Sequence, residues 1–306
     1  MPFGSSKAAI LGASGAGGFT LEVASGSGTA TESGGYKYYT FTDAGTLSIE
    51  GTGEIDVLCV AGGGAGGQGS GNGGGGGGAG QWLSRDTFEV EGPLVLSITI
   101  GTGGASNGAV GSDTSISKSS GDGTWPTITS AGGGPGGAGY LASGGNGGSG
   151  GGGGTDGSGG GTANTNYPTG WTARINGGGA GGYAGWNWSA GGGGGAGNSG
   201  GNPSGSGQNT GGAGGYGYEW LDGNSYCAGG GGNGSAITGP GGARNSSDST
   251  KLGGNGSYTS NNGEAAGSVQ NEAGSYQHGS GGGGANYYTA VAGTGAHGVV
   301  IFRTAA

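Results

Sequence analysis

The chain has 306 residues, of which 98 are glycine and 7 are proline, and its formal net charge is −9. Collagen needs strict G-X-Y phasing with abundant proline, and disordered chains usually carry many charges and few aromatic residues; this composition fits neither class. The basic residues between positions 101 and 300 are too sparse to follow a phosphate backbone, so we expect neither nucleic acid nor an anionic membrane surface as a partner.

The first 35 residues contain one short apolar run, Ala8 to Leu11, which is too short for the apolar region of a signal peptide. No stretch of the chain approaches the length of a transmembrane span, so we expect synthesis in a cytoplasm and no membrane insertion. Two cysteines do not make a disulfide framework. We expect Cys59, which lies in an apolar run, to be buried and Cys227 to be a free thiol in a loop.

Short β-strands are predicted at both ends of the chain. Residues 36–64 predict three short strands. Tyr36, Tyr38 and Thr40 alternate with their neighbours, as do Leu47 and Ile49, and Val57 to Ala61 is apolar on both faces, as in a central strand. LVLSITI, from Leu94 to Ile100, and GVVIFR, from Gly298 to Arg303, predict two more strands. We expect the first and last of these strands to share a sheet.

The glycine tracts between these strands place other residue types three positions apart, as at Pro135, Ala138 and Leu141, with Tyr140 out of phase. Three residues per turn is the period of the polyproline-II helix, whose backbone groups point outward and can bond to neighbouring helices. Only glycine permits such a close approach. The sequence therefore predicts a lattice of packed polyglycine-II helices, and unstructured low complexity is the alternative.

The predicted fold is mostly irregular and β, with a small β-sheet frame that clamps this lattice and leaves loops on the surface. We expect the frame at residues 36–130, the lattice with its loops at residues 131–292 and a closing strand at residues 293–306.

Several stretches carry a resemblance: YTFTDAGTLSIEGTGEIDVLCVAGGGAGG, GGGGGGAGQWL, LSITIGTGGA and GAHGVVIFR. Over residues 36–304 the chain resembles the glycine-rich domain of bacteriophage tail-fibre and appendage proteins. Those domains are similar to the tip adhesins of T-even-like phages, polyglycine-II sandwiches whose variable loops bind the host receptor. The opening, MPFGSSKAAILGASG, is similar to the starts of cyanophage structural proteins.

The loops between the tracts are rich in Tyr, Trp, Ser, Asn and Gly, the residue types that antibodies use in their binding loops. Aromatic faces and amides also suit saccharides, so these loops predict a receptor-binding surface, although the aromatic residues could instead shield the lattice from water. The predicted receptor-binding residues are Tyr167, Trp171, Trp186, Trp188, Tyr218, Trp220, Tyr226, Tyr258, Tyr276, Tyr287 and Tyr288.

Motifs for catalysis or cofactor binding are weak. G-x-G-x-x-G carries no information at this glycine content, and no Walker sequence is present. Gly151 to Asp156 matches the opening of a GGxGxD calcium repeat, but there is no tandem copy. His278 and His297 have no neighbouring ligands in the sequence. We therefore expect no enzyme activity, no cofactor and no metal.

The resemblance implies a phage adhesin located on the virion that recognises a host-cell polysaccharide or an outer-membrane protein. Residues 1–35 would attach it to a neighbouring fibre protein, although T-even tip adhesins have a larger attachment domain. Self-association into a homo-oligomer is compatible with this function. The alternative is a structural fibre or capsid decoration protein without a specific receptor. An ice-binding surface or a receptor-kinase glycine-rich domain fits less well, because aromatic loops interrupt any flat face and no signal peptide, disulfide framework or membrane span is evident.

Overall fold

The computed structural model of the protein describes residues 18–69, 72–156, 158–184, 187–205, 209–245, 248–257, 263, 278–285 and 291–306. These described residues form an all-β structure without helices. The strands are β1 (Thr20–Gly26), β2 (Thr29–Ser33), β3 (Tyr36–Phe41), β4 (Gly45–Glu50), β5 (Thr52–Val60), β6 (Trp82–Glu91), β7 (Leu94–Thr99), β8 (Thr114–Gly121), β9 (Ile128–Ser130), β10 (Thr172–Arg174), β11 (Gly182–Ala184), β12 (Asn187–Ser189), β13 (Tyr218–Glu219), β14 (Ser225–Tyr226), β15 (Ala243–Asn245), β16 (Asp248–Lys251) and β17 (Val299–Ala305).

Eleven of these strands form two antiparallel sheets. The five-stranded sheet has the order β1-β4-β7-β8-β9, and the six-stranded sheet has the order β10-β6-β5-β17-β3-β2. Alternate residues of the two sheets, such as Leu47, Leu96, Val57 and Phe302, meet in one hydrophobic cluster. Burial of this apolar area supplies the main hydrophobic stabilisation of the molecule.

The middle strands of the six-stranded sheet, β5 and β17, are buried on both faces. Leu58, Val60, Val299 and Ile301 point away from the five-stranded sheet into a second hydrophobic cluster. β17 pairs with β3 on one side and with β5 on the other, which confirms that the first and last predicted strands share a sheet. This pairing joins an early strand of the chain to the last one.

Sequence patterns missed other strands. β1 and β2 lie within residues 1–35, which were predicted to be an attachment segment, yet they pair with β4 and β3. The fold therefore begins before residue 35. β2 is exposed at every position and β8 is mostly polar in its second half, so neither has a clear alternation of apolar and polar residues.

Glycine-rich segments form a second body against the six-stranded sheet, which we call the glycine bundle. Its segments are 61–67, 74–81, 101–112, 131–139, 142–154, 158–164, 176–181, 190–204, 210–217, 227–234, 239–243, 252–257, 279–285 and 293–298, connected by backbone hydrogen bonds. Because segments 61–67, 74–81, 101–112 and 293–298 belong to the bundle, the boundaries predicted at residues 130 and 293 do not separate frame from bundle.

Segment 74–81 lies at the centre of the glycine bundle. Every third N–H group of this segment donates to the same neighbouring segment. Gly74, Gly77 and Gly80 donate to Ala285, Gly282 and Gly279, and Gly75, Gly78 and Gln81 donate to Gly137, Gly134 and Ala131. Gly76 and Ala79 donate to Gly191 and Gly194. Its carbonyl groups accept from segments 61–67, 149–152 and 230–233. The segment is thus bonded to six neighbours, which satisfies backbone groups that would be costly to bury unpaired.

Candidate functional site

The hydrogen-bond register distinguishes the two ends of the glycine bundle. Gln81, which precedes β6, donates its N–H to Ala131 (2.8 Å), whereas Gly75, six positions earlier, donates to Gly137 (2.9 Å). The turn that follows Gly137 therefore lies far from the sheets. We call the end beside β6 the sheet end and the opposite end the loop end.

Three predicted binding residues are buried at the sheet end. Trp171 packs into the cluster between the two sheets, and Trp220 and Tyr226 pack into the second cluster, which includes Leu58 and Val60. Only 5% of the Trp171 side chain, 5% of Trp220 and 0% of Tyr226 are exposed. A receptor has no access to the faces of these rings. Their prediction as receptor-contacting residues is therefore corrected: they cover the apolar face of the sheets.

The other two predicted residues described at the sheet end are more accessible. Tyr218 is partly exposed, and its ring packs edge-on against Trp82 at a centroid distance of 5.5 Å. The guanidinium of Arg174 lies 3.8 Å from the Tyr218 ring centroid and donates from Nη2 to the Tyr218 hydroxyl (2.8 Å). These contacts fix Tyr218 in place. Tyr167 lies in the loop before β10 and is 47% exposed.

The turns at the loop end bond to one another. The N–H of Thr155 donates to the carbonyl of Gly139 (3.0 Å), and that of Leu141 donates to the carbonyl of Thr155 (3.2 Å). Further along this end, the N–H of Ser235 donates to Ser189 Oγ (3.2 Å), which ties the β11–β12 hairpin to the next turn. The turns thus form a connected surface.

Tyr140, Leu141 and Trp188 form an aromatic and apolar group on this surface, which we call the loop-end cluster. Tyr140 is 47% exposed and Leu141 59% exposed, and the Tyr140 ring lies 5.5 Å from the partly exposed ring of Trp188. Leu141 has φ = 54°, an uncommon conformation for a bulky residue. Exposed residues held in such conformations often mark binding sites.

Sequence patterns predicted Trp188 but missed Tyr140 and Leu141. The available signal was Tyr140 itself, which interrupts the three-residue phase of its tract. The predicted residues Trp186, Tyr258, Tyr276, Tyr287 and Tyr288 lie outside the described residues.

Charged groups are few at the loop end. Within the described turns 139–142, 155–156 and 235–238, Asp156 is the one charged residue. Across the described part of the chain, no group of three or more His, Cys, Asp or Glu side chains could hold a metal ion. Nor does any helix long and apolar enough to cross a membrane occur there.

The two cysteines are free and buried, which confirms the prediction for Cys59. Cys227, predicted to be a free loop thiol, is fully buried in the second hydrophobic cluster. Burial raises the pKa of both thiols, because a buried thiolate loses its hydration.

Comparison with curated protein sequences found no significant match. A family profile described as "Glycine-rich domain" matches residues 40–305, which run from the end of β3 through β17 and include the whole glycine bundle. The chain therefore belongs to the glycine-rich domain family.

Proposed function

We propose that the protein is a non-enzymatic adhesin that binds a ligand on a cell surface through its loop end. The observation that carries the proposal is the loop-end cluster, in which Tyr140 and Leu141 are exposed and Trp188 is partly exposed. Aromatic side chains give a large contact area with few rotatable bonds, and they are frequent among residues that dominate binding. The turns that carry them are anchored in the bundle by backbone hydrogen bonds.

The glycine bundle is, in this proposal, a lattice of polyglycine-II helices. Two observations support this conformation: partners of segment 74–81 repeat every three residues, and six segments surround it. A Cβ atom on Gly77 would lie 2.2 Å from the carbonyl oxygen of Gly64, a distance that no side chain could occupy. A lattice of this kind holds its turns rigidly, so binding costs little ordering entropy.

The chemistry of the loop end favours a ligand with little negative charge. Asp156 places a carboxylate near the cluster, while Ser, Thr and Asn residues in the neighbouring turns offer hydroxyl and amide groups. A neutral host polysaccharide, whose ring faces stack on aromatic side chains, or an outer-membrane protein fits these groups.

The resemblance to phage tail-fibre domains supplies the biological setting of the proposal. The adhesin would be made in the host cytoplasm and mounted on the virion, attached to a fibre protein through residues that precede β1. Several copies on one particle would increase avidity from weak single sites. The alternative, a structural fibre or decoration protein, would need no receptor.

The test is binding of the purified, amine-labelled full chain to a panel of bacterial strains, measured by flow cytometry. The panel includes pairs with and without capsule or lipopolysaccharide outer chains. We expect saturable binding to at least one strain, and a loss of about ten-fold or more in apparent affinity for a Tyr140→Ala/Trp188→Ala variant.

Tyr36→Ala is the matched control, because Tyr36 is 38% exposed but lies in β3, away from the loop end. It is expected to bind as the wild type does. Equal loss in the control and the test variant would rule out a site at the loop end. Absence of binding to every strain would favour the structural alternative.

A further inference from the structure

A cleft of about 180 Å³ lies at the opposite side of the molecule from the loop end. Its floor is the outer part of the six-stranded sheet, on the face that carries the second hydrophobic cluster. Its wall is the loop that joins β13 to β14, together with His278. Of the predicted receptor-binding residues that the structure describes, only the buried Tyr226 lines it.

The floor of the cleft is rich in hydroxyl groups. Thr31 on β2 lies opposite Tyr38 on β3, and Thr40 is the next residue of β3 on the same face. Thr31 and Thr40 are diagonal neighbours across the two antiparallel strands, a spacing of about 7–8 Å. Hydroxyl groups both donate and accept hydrogen bonds, so this surface matches a ligand that also carries several hydroxyl groups. Val299 and Ile301 add an apolar strip at its base.

The wall contains a carboxylate held in a fixed orientation. Asp222 Oδ2 accepts from the Tyr226 hydroxyl (2.6 Å) and from Asn224 Nδ2 (3.1 Å), and Asp222 Oδ1 accepts from the backbone N–H of Asn224 (2.9 Å). A carboxylate has about four lone-pair sites, so these bonds leave it able to accept another hydrogen bond. An acceptor positioned in advance binds a donor at low entropic cost.

Asp222 contributes a negative charge to the wall, which disfavours anionic ligands. The nearby Arg303 is already bonded: its Nε donates to Asp56 Oδ2 (2.8 Å), its Nη1 donates to the carbonyl of Leu221 (3.3 Å), and its side chain also bonds to Tyr38 in the floor. Burial lowers the pKa of His278, which therefore stays neutral near pH 7.

We propose that this sheet-edge cleft binds one neutral sugar ring, with hydroxyl groups of the sugar bonded to Thr31, Thr40 and Asp222. The volume is below the roughly 300–1,000 Å³ of pockets for drug-sized ligands, which suits a single ring. The site is independent of the loop-end cluster, so it stands whether or not the loop end binds a cell surface.

The experiment is saturation-transfer difference NMR on the purified full chain. The neutral probes are D-glucose, D-galactose, D-mannose and N-acetyl-D-glucosamine, and D-glucuronic acid is the anionic probe. We expect transfer to at least one neutral sugar and none to the glucuronate. Thr31→Val/Thr40→Val should weaken that binding about ten-fold or more, because two hydroxyl partners are removed while size and strand preference are kept.

Thr52→Val is the matched control, since Thr52 is an exposed strand residue that does not line the cleft. It should bind as the wild type does, and so should Tyr140→Ala/Trp188→Ala. Asp222→Asn provides a second test of the wall and should also weaken binding. The proposal is overturned if no neutral sugar binds, if glucuronate binds as well as the neutral sugars, or if the threonine double variant retains wild-type affinity.

Discussion

The ring centroids of Tyr140 and Trp188 lie 5.5 Å apart with their planes inclined by 59°. Tyr140 belongs to a turn between two glycine segments, and Trp188 belongs to the hairpin strand β12. The two residues are distant in the sequence, and they meet because bundle segments 142–154, 176–181 and 190–204 bring their turns to the same end.

Because backbones are in close contact inside the glycine bundle, we expect a side chain added there to lower the free energy of unfolding. Gly77→Ala should destabilise the protein by about 3 kcal/mol or more, or prevent folding, because its Cβ would collide with the Gly64 carbonyl. Urea denaturation measures the change. Gly159→Ala is the control, since a Cβ there meets nothing within 4 Å, and stability should change by no more than about 0.5 kcal/mol. Equal stability of the two variants would contradict the packing.

The division of aromatic residues between the two ends makes a second prediction. Trp220→Ala should lower the free energy of unfolding by about 3–5 kcal/mol, because it empties a buried site in the second hydrophobic cluster. Trp188→Ala, at a partly exposed position, should cost at most about 1 kcal/mol. Thermal unfolding of both variants tests this difference, and a large loss for Trp188→Ala alone would reverse the assignment of roles.

The buried cysteines predict low thiol reactivity. Burial raises the pKa of Cys59 and Cys227, so the reactive thiolate is scarce near pH 7.5, and neither sulfur is accessible. Iodoacetamide should modify neither residue in the native protein and both residues in urea, as counted by intact mass. Rapid modification of Cys227 in the native state would contradict its burial.

His278 predicts a dependence of stability on pH. Burial lowers its pKa below the ordinary value of 6.5, whereas the unfolded chain titrates near that value. Below pH 6.5 the unfolded state therefore binds more protons, so the free energy of unfolding should fall as the pH falls from 7 toward 5. His278→Gln should reduce this slope, and His297→Gln is the control. An unchanged slope in His278→Gln would contradict the lowered pKa of this imidazole.

Strands were predicted correctly from the sequence where their own residues carry a clear apolar pattern. Val57 to Ala61 and Val299 to Phe302 are apolar on both faces, and each belongs to a strand that is packed on both sides. β6 was missed because Arg85, Asp86 and Thr87 interrupt it, and β5 shifts its register beside that stretch. Such an irregularity depends on the partner strand and leaves little trace in the sequence.

By itself, the sequence determined that the chain has β-strands toward both ends and, between them, glycine tracts with a three-residue phase. Both features could be predicted because side-chain alternation and the absence of Cβ atoms are local properties. Only the tertiary structure decided which aromatic residues are buried. Trp188 and Trp220 lie in similar sequence surroundings, yet they lie at opposite ends of the bundle, because the direction of each segment is set by the neighbours to which its backbone bonds.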